Sequence, residues 1–99
     1  MKLLTKQLKG KFPRLYATEK TPPEEKVVIA KFFTPWTNWT WYAVEKDSDD
    51  TFFGLELEWG YFTLSELESI KGPFGLTIER DLYFGHPKIG EVPALKGRI

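Results

Sequence analysis

Between residues 26 and 59 the chain runs three times into stretches that suit a β-strand better than any other conformation, and this segment constrains the fold most. Residues 26–34 (KVVIAKFFT) and 38–45 (NWTWYAVE) are dense in β-branched and aromatic side chains, which favour extended backbone. Pro35, Trp36 and Thr37 separate the two runs, so they read as a hairpin. Residues 46–50 (KDSDD) supply a second turn, and residues 51–59 (TFFGLELEW) read as a third strand. In it Phe53, Leu55, Leu57 and Trp59 alternate with Glu56 and Glu58, the period of a sheet with one dry face. Gly54 marks a bulge, or a place where a ring such as Trp39 or Trp41 lies over the backbone. Facing Trp39, Trp41 and Ala43 inward with Phe53, Leu55 and Leu57 leaves Tyr42, Val44 and Phe52 on the other face. A one-residue change of register reverses that assignment.

Two helices are expected around these strands. Thr5 is placed to cap a short helix over residues 6–11, with Leu4, Leu8 and Phe12 on one stripe, before Pro13 ends it. Thr63-Leu64-Ser65-Glu66 is a capping box, flanked by Phe62 and Leu67 as a hydrophobic staple. The helix that follows stops at Gly72-Pro73. A thin sheet needs such a cover, so the expected fold is α+β. It is a three- to four-stranded, mainly antiparallel meander, covered on one face by one or two short helices. If residues 76–84 are extended, Arg80 shares an apolar face with Ile78, Leu82 and Phe84. A chain of 99 residues reads as a single domain over 1–99, in which residues 85–99 form a loosely attached tail.

Sixteen of the 99 side chains are Phe, Trp or Tyr, enough apolar surface to build a core without a staple. The absence of cysteine removes thiolate nucleophiles, disulfides, iron–sulfur clusters and cysteine zinc sites, and a lone His86 cannot make a multi-histidine metal centre. No apolar run is long enough for a signal peptide or a membrane span, so a cytoplasmic protein without membrane contact is expected. Net charge is zero but unevenly spread. Lys2, Lys6, Lys9, Lys11, Arg14 and Lys20 stand against Glu19 in the first twenty residues, while residues 45–68 hold eight carboxylates and only Lys46.

The stretches FFTPWTNWTWY (32–42), FFG (52–54), GYFTLSELES (60–69) and LESIKGPFGLTIERDLYF (67–84) give the chain a family likeness. It resembles the short bacterial proteins grouped as domain of unknown function 2958, over nearly its whole length. The resemblance brings no assigned activity and no catalytic residues. Such proteins often come from plasmids, phages and other mobile elements, near genes for replication or for countering host defences, which implies a small regulatory or protein-binding role. The chain departs from the family in one place: members usually carry a longer segment between the FGL-like and GYF-like stretches, where only Glu56-Leu57-Glu58-Trp59 stands here.

Catalysis requires a nucleophile with its base, a tuned acid–base pair or a metal cluster, and the sequence spells out none of these. Asp47, Asp49 and Asp50 lack the glycine and distal glutamate of a calcium loop and read as a solvated turn. Arg80, between Glu79 and Asp81, needs a partner on its apolar face: a structural ion pair with an acid from residues 45–58, or a bound anion. Trp36 at a hairpin tip, beside Tyr42 and with Phe52 on the outer face, suits a binding hot spot. The expectation is therefore a non-enzymatic interaction module with a protein partner, no cofactor and no metal, whose candidate binding residues are Trp36, Tyr42, Phe52 and Arg80. Nucleic-acid binding by the basic N-terminal segment and exposed rings is the alternative. The sequence leaves the oligomeric state open.

Overall fold

The two β-forming runs either side of Pro35 do pair, with Ala30 opposite Ala43 and Phe33 opposite Thr40. In the computed structural model, which describes residues 1–97, they become β1 (Ala30–Phe33) and β2 (Thr40–Lys46). β3 (Thr51–Leu55) adds beside β2, completing the expected meander. The sheet is larger than three or four strands. Residues 56–58 reverse the chain, Glu56 N–H donating to the Glu58 carbonyl at 3.2 Å, and β4 (Trp59–Thr63) returns antiparallel to β3. Two-residue β5 (Glu79–Arg80) pairs with β1, giving five antiparallel strands in the order β4-β3-β2-β1-β5. The alternation through Leu57 and Trp59 thus spans a turn, and Leu57 is exposed.

Both short helices form where their caps predict. In α1 (Lys6–Lys9) the Thr5 hydroxyl accepts from Leu8 N–H at 3.1 Å. In α2 (Leu64–Ser69) the Thr63 hydroxyl accepts from Glu66 N–H at 3.0 Å and donates to the Glu66 carboxylate. Asp50 adds a second cap, accepting from the Ser65 backbone and hydroxyl. Leu67 from α2 packs with Leu3, Phe32, Trp41, Phe52 and Phe62 on one face of the sheet. Each large side chain buried there contributes roughly 1.5–3 kcal/mol.

The other face is dry as well, which corrects the expectation of a sheet covered on one side. Tyr42, Val44 and Leu55 pack there against Ile89, Val92 and Leu95. Segment 85–97 is accordingly no loose tail: two single turns of 3-10 helix, Ile89–Glu91 and Pro93–Leu95, press those three side chains to 4% exposure or less. Residues 98 and 99 of the expected tail lie outside the described residues. β2 is apolar at even and odd positions alike, the pattern of a strand buried on both sides.

The inward–outward assignment also changes. Trp41 and Ala43 share a face with Phe52, while Tyr42 and Val44 share the opposite face with Phe53 and Leu55. Gly54 does mark a bulge: Ala43 opposes Gly54 but Glu45 opposes Phe53, leaving Val44 as the extra residue. A Cβ on Gly54 would lie 2.1 Å from the Tyr42 carbonyl oxygen, so it is backbone that fills this space, not a tryptophan ring.

Candidate functional site

The bulge has a chemical consequence at the end of β2. Strict alternation would send Glu45 to the side of Trp41 and Ala43; the extra residue turns it to the side of Phe53 instead, and turns Lys46 over the Phe52 ring. Glu45 is thereby buried at 3% exposure. Its carboxylate accepts from Tyr16 N–H at 2.8 Å, from Thr18 N–H at 3.0 Å and from the Thr18 hydroxyl. Lys26, also buried, donates its ammonium to the Thr18 carbonyl and hydroxyl, so Thr18 lies between two opposite charges. Their proximity offsets part of the cost of taking each out of water.

Glu45 holds the 16–18 loop in a conformation it would otherwise avoid. Tyr16 has φ of 69°, a left-handed setting that costs a bulky residue about 1–3 kcal/mol. This places the Tyr16 side chain beside Tyr61 of β4, and the hydrogen bond between the two holds the Tyr61 phenol above its ordinary pKa of 10.0. Phe53 stacks on Trp59 at 5.6 Å and 17°, and tilts against Tyr61 at 5.2 Å. These four rings, with Pro23, Glu19, Lys26 and Glu45, line a half-open hollow of about 240 Å³. Tyr61 is 56% exposed and Tyr16 64%, so the rings face solvent rather than complete a core. The hollow can take an apolar or ring-bearing group, or the aliphatic stem of a long side chain.

A second, more polar concavity of about 320 Å³ lies between α1 and the β1–β5 side of the sheet. It brings Lys11, Lys31, Arg80, Asp81 and His86 together. Arg80 pairs opposite Phe32, on the face that also holds Ile78, but the expected extended run to residue 84 is cut short: Leu82 is exposed, Phe84 packs on the opposite face, and the partner of Arg80 is not a carboxylate. The guanidinium donates to the Leu3 carbonyl at 2.6 Å and the Lys2 carbonyl at 3.3 Å, which corrects the expected ion pair with residues 45–58. Asp81 instead meets Lys31 at 3.6 Å. Among the described residues the two ion pairs are this one and Lys88–Glu25, and neither joins the basic N-terminal segment to the acidic run. α1 and its lysines lie by the β1–β5 side, while the loop that follows them meets the acidic run at Glu45 through the backbone of Tyr16 and Thr18.

The other expected site residues fall elsewhere. Tyr42 is 4% exposed against Phe84, and Phe52 is fully buried among Phe12, Phe32 and Phe62; both belong to the core, because the two faces they occupy are covered. Trp36 is half-buried, its ring lying across Gly72, whose added Cβ would come within 2.5 Å of it. Sequence reasoning overlooked Tyr16, Phe53, Trp59 and Tyr61 as a group. A carboxylate ending an apolar strand, with a glycine in the strand that follows, was the available signal of a bulge turning Glu45 toward them.

Among the described residues no group of three or more His, Asp or Glu side chains is placed to hold a metal, and no helix is long and apolar enough to cross a membrane. No curated protein and no solved structure matches the chain. Residues 3–89, which include every strand and both helices, match the family described as "Protein of unknown function (DUF2958)", and the chain belongs to that family.

Proposed function

We propose that the protein is a non-enzymatic binding module of the bacterial cytoplasm, serving a mobile element, and that its partner is another protein. The observation that carries this is the cluster of Tyr16, Phe53, Trp59 and Tyr61 around the hollow: large, stiff rings left partly in water, two of them on an edge strand. Rings of this kind dominate the energetics of protein interfaces because they bury much area at little entropic cost. Glu45, with three donors already on its carboxylate, serves to position the loop and not to move protons. Affinity capture from a host lysate, run in parallel with the Trp59→Ala/Tyr61→Ala double variant, tests the proposal. A partner held by the parent and lost by the variant supports it. A partner held equally by both places the interface elsewhere, and reproducible turnover of a substrate defeats the reading.

A second reading rests on the basic cleft. Lys11, Lys31 and Arg80 line it, and Lys6 and Lys9 stand on the adjoining helix, an arrangement suited to nucleic-acid phosphates. Oligonucleotide affinity would then fall steeply with salt, and salt-indifferent binding would exclude it.

A further inference from the structure

We infer that the outer edge of β4 accepts an extended, basic polypeptide segment as a sixth strand; this rests on the protein-binding reading above and names the partner's chemistry. The hydrogen-bond phase of the sheet determines what the edge offers. Leu64 N–H donates to the Asp50 carbonyl at 2.9 Å and Glu56 N–H to the Glu58 carbonyl, so the bonded pairs of this hairpin fall at even-numbered residues. In β4 it is therefore Gly60 and Phe62 that bond inward to β3. The N–H and C=O groups of Trp59 and Tyr61, and the N–H of Thr63, point away from the sheet, and β4 is its last strand.

Natural sheets normally block such an edge with lysine, proline, a bulge or a covering segment. β4 (WGYFT) has none of the first two, and its pairing with β3 runs unbroken over five residues. The opposite edge is treated differently. β5 is only two residues long, and Arg80 N–H is taken by the Met1 sulfur at 3.0 Å.

Charge selects the occupant. Glu58 precedes the strand, and Asp50 and Glu66 lie at its far end; both glutamates are exposed. The nearest lysine in sequence before it, Lys46, is buried, with its ammonium donating to the Asp47 and Asp49 carbonyls. A second copy pairing β4 on β4 about Tyr61 would bring these carboxylates against their own kind, whereas a segment bearing lysine or arginine meets opposite charge at both ends. Every second side chain of an added strand falls on the side of Trp59 and Tyr61, where the hollow can hold an aliphatic stem and the rings can face its cation.

The test uses fluorescent peptides of alternating lysine and valine, of alternating glutamate and valine, and of lysine and valine with N-methyl groups along the bonding edge. Anisotropy gives the affinities, and hydrogen exchange reports the Trp59 and Tyr61 amides. The expected result is binding of the lysine peptide at least about tenfold tighter than the glutamate peptide, new protection of both amides, and loss on N-methylation. Tyr61→Pro should abolish binding with the fold intact, since that N–H makes no ladder bond, while Tyr61→Ala should only weaken it. Binding that ignores N-methylation, or leaves both amides unprotected, overturns strand addition while leaving the hollow as a docking site. Equal affinity for the glutamate peptide, no binding of any peptide, or concentration-dependent dimerisation through β4 overturns the inference as well. Loss of a lysate partner in the Trp59→Ala/Tyr61→Ala variant would still stand for the broader reading.

Discussion

Glu45 accepts the backbone N–H of Tyr16 at 2.8 Å across 29 residues of chain, and in doing so fixes a tyrosine with φ of 69° at the lip of the aromatic hollow. The same carboxylate takes two donors from Thr18 and sits one residue from the buried Lys26 ammonium. Glu45→Ala would leave those amides and the Thr18 hydroxyl without their acceptor, and the buried Lys26 ammonium without its neighbouring negative charge. A loss of about 3 kcal/mol is expected in urea unfolding, because a buried group left unpaired costs its full desolvation. Tyr16 should then relax from its left-handed setting, visible as a change in its amide and ring resonances. A stability loss under about 0.5 kcal/mol would contradict this account.

Gly54 and Gly60 face one another across β3 and β4 yet should respond oppositely to alanine. A Cβ at Gly54 meets the Tyr42 carbonyl at 2.1 Å, backbone that cannot step aside, while at Gly60 nothing lies within 4 Å. Gly54→Ala is expected to cost about 3 kcal/mol or more, and Gly60→Ala to be neutral or to stabilise by about 0.5 kcal/mol. Denaturant midpoints of the two variants check this directly.

Tyr61 should ionise late. Its hydrogen bond to Tyr16 is the main cause, with the charges of Tyr16 and Glu45 acting in the same direction. The fold therefore holds this proton more tightly than the unfolded chain does. The associated stability is complete below pH 10.0 and declines as pH rises through the folded value. Tyr16→Phe should bring the Tyr61 phenolate absorbance transition back toward pH 10.0; an unmoved transition would show that the bond does not set it.

The 3-10 turns of segment 85–97 should matter as much as a strand. Ile89 is fully buried against Val28 and Tyr42's layer, so Ile89→Ala is expected to cost about 2–5 kcal/mol. A loss below about 1 kcal/mol, measured by thermal or urea unfolding, would return this segment to the status of a loose appendage.

The readable parts of the fold were those governed by local chemistry. Thr5 and Thr63 cap helices because a hydroxyl before an apolar stripe satisfies an orphan amide, whatever surrounds it. The runs on either side of Pro35 pair because their side chains suit little else. Reversal at residues 56–58 was hidden, since it uses two glutamates and a leucine in place of glycine, proline or asparagine and preserves the apolar alternation up to Trp59. Burial of the second face was hidden for another reason: Tyr42 and Val44 are as apolar as Trp41 and Ala43, so β2 carries no sign of which side is wet. Ile89, Val92 and Leu95 did leave a trace, three apolar residues at intervals of three, the repeat of a 3-10 helix. The hollow was the least readable part, because its rings come from three separate segments gathered by one bulge.

Arg80 grips the Leu3 carbonyl over a separation of 77 residues, drawing most of the polypeptide into a single closed loop. Closing so long a loop costs configurational freedom before any contact within it is rewarded. Nucleation is therefore expected in the neighbouring hairpins, with the clasp closing after them. The same topology makes this seam, where Leu3 meets Leu67 of α2, the natural place for the native state to breathe.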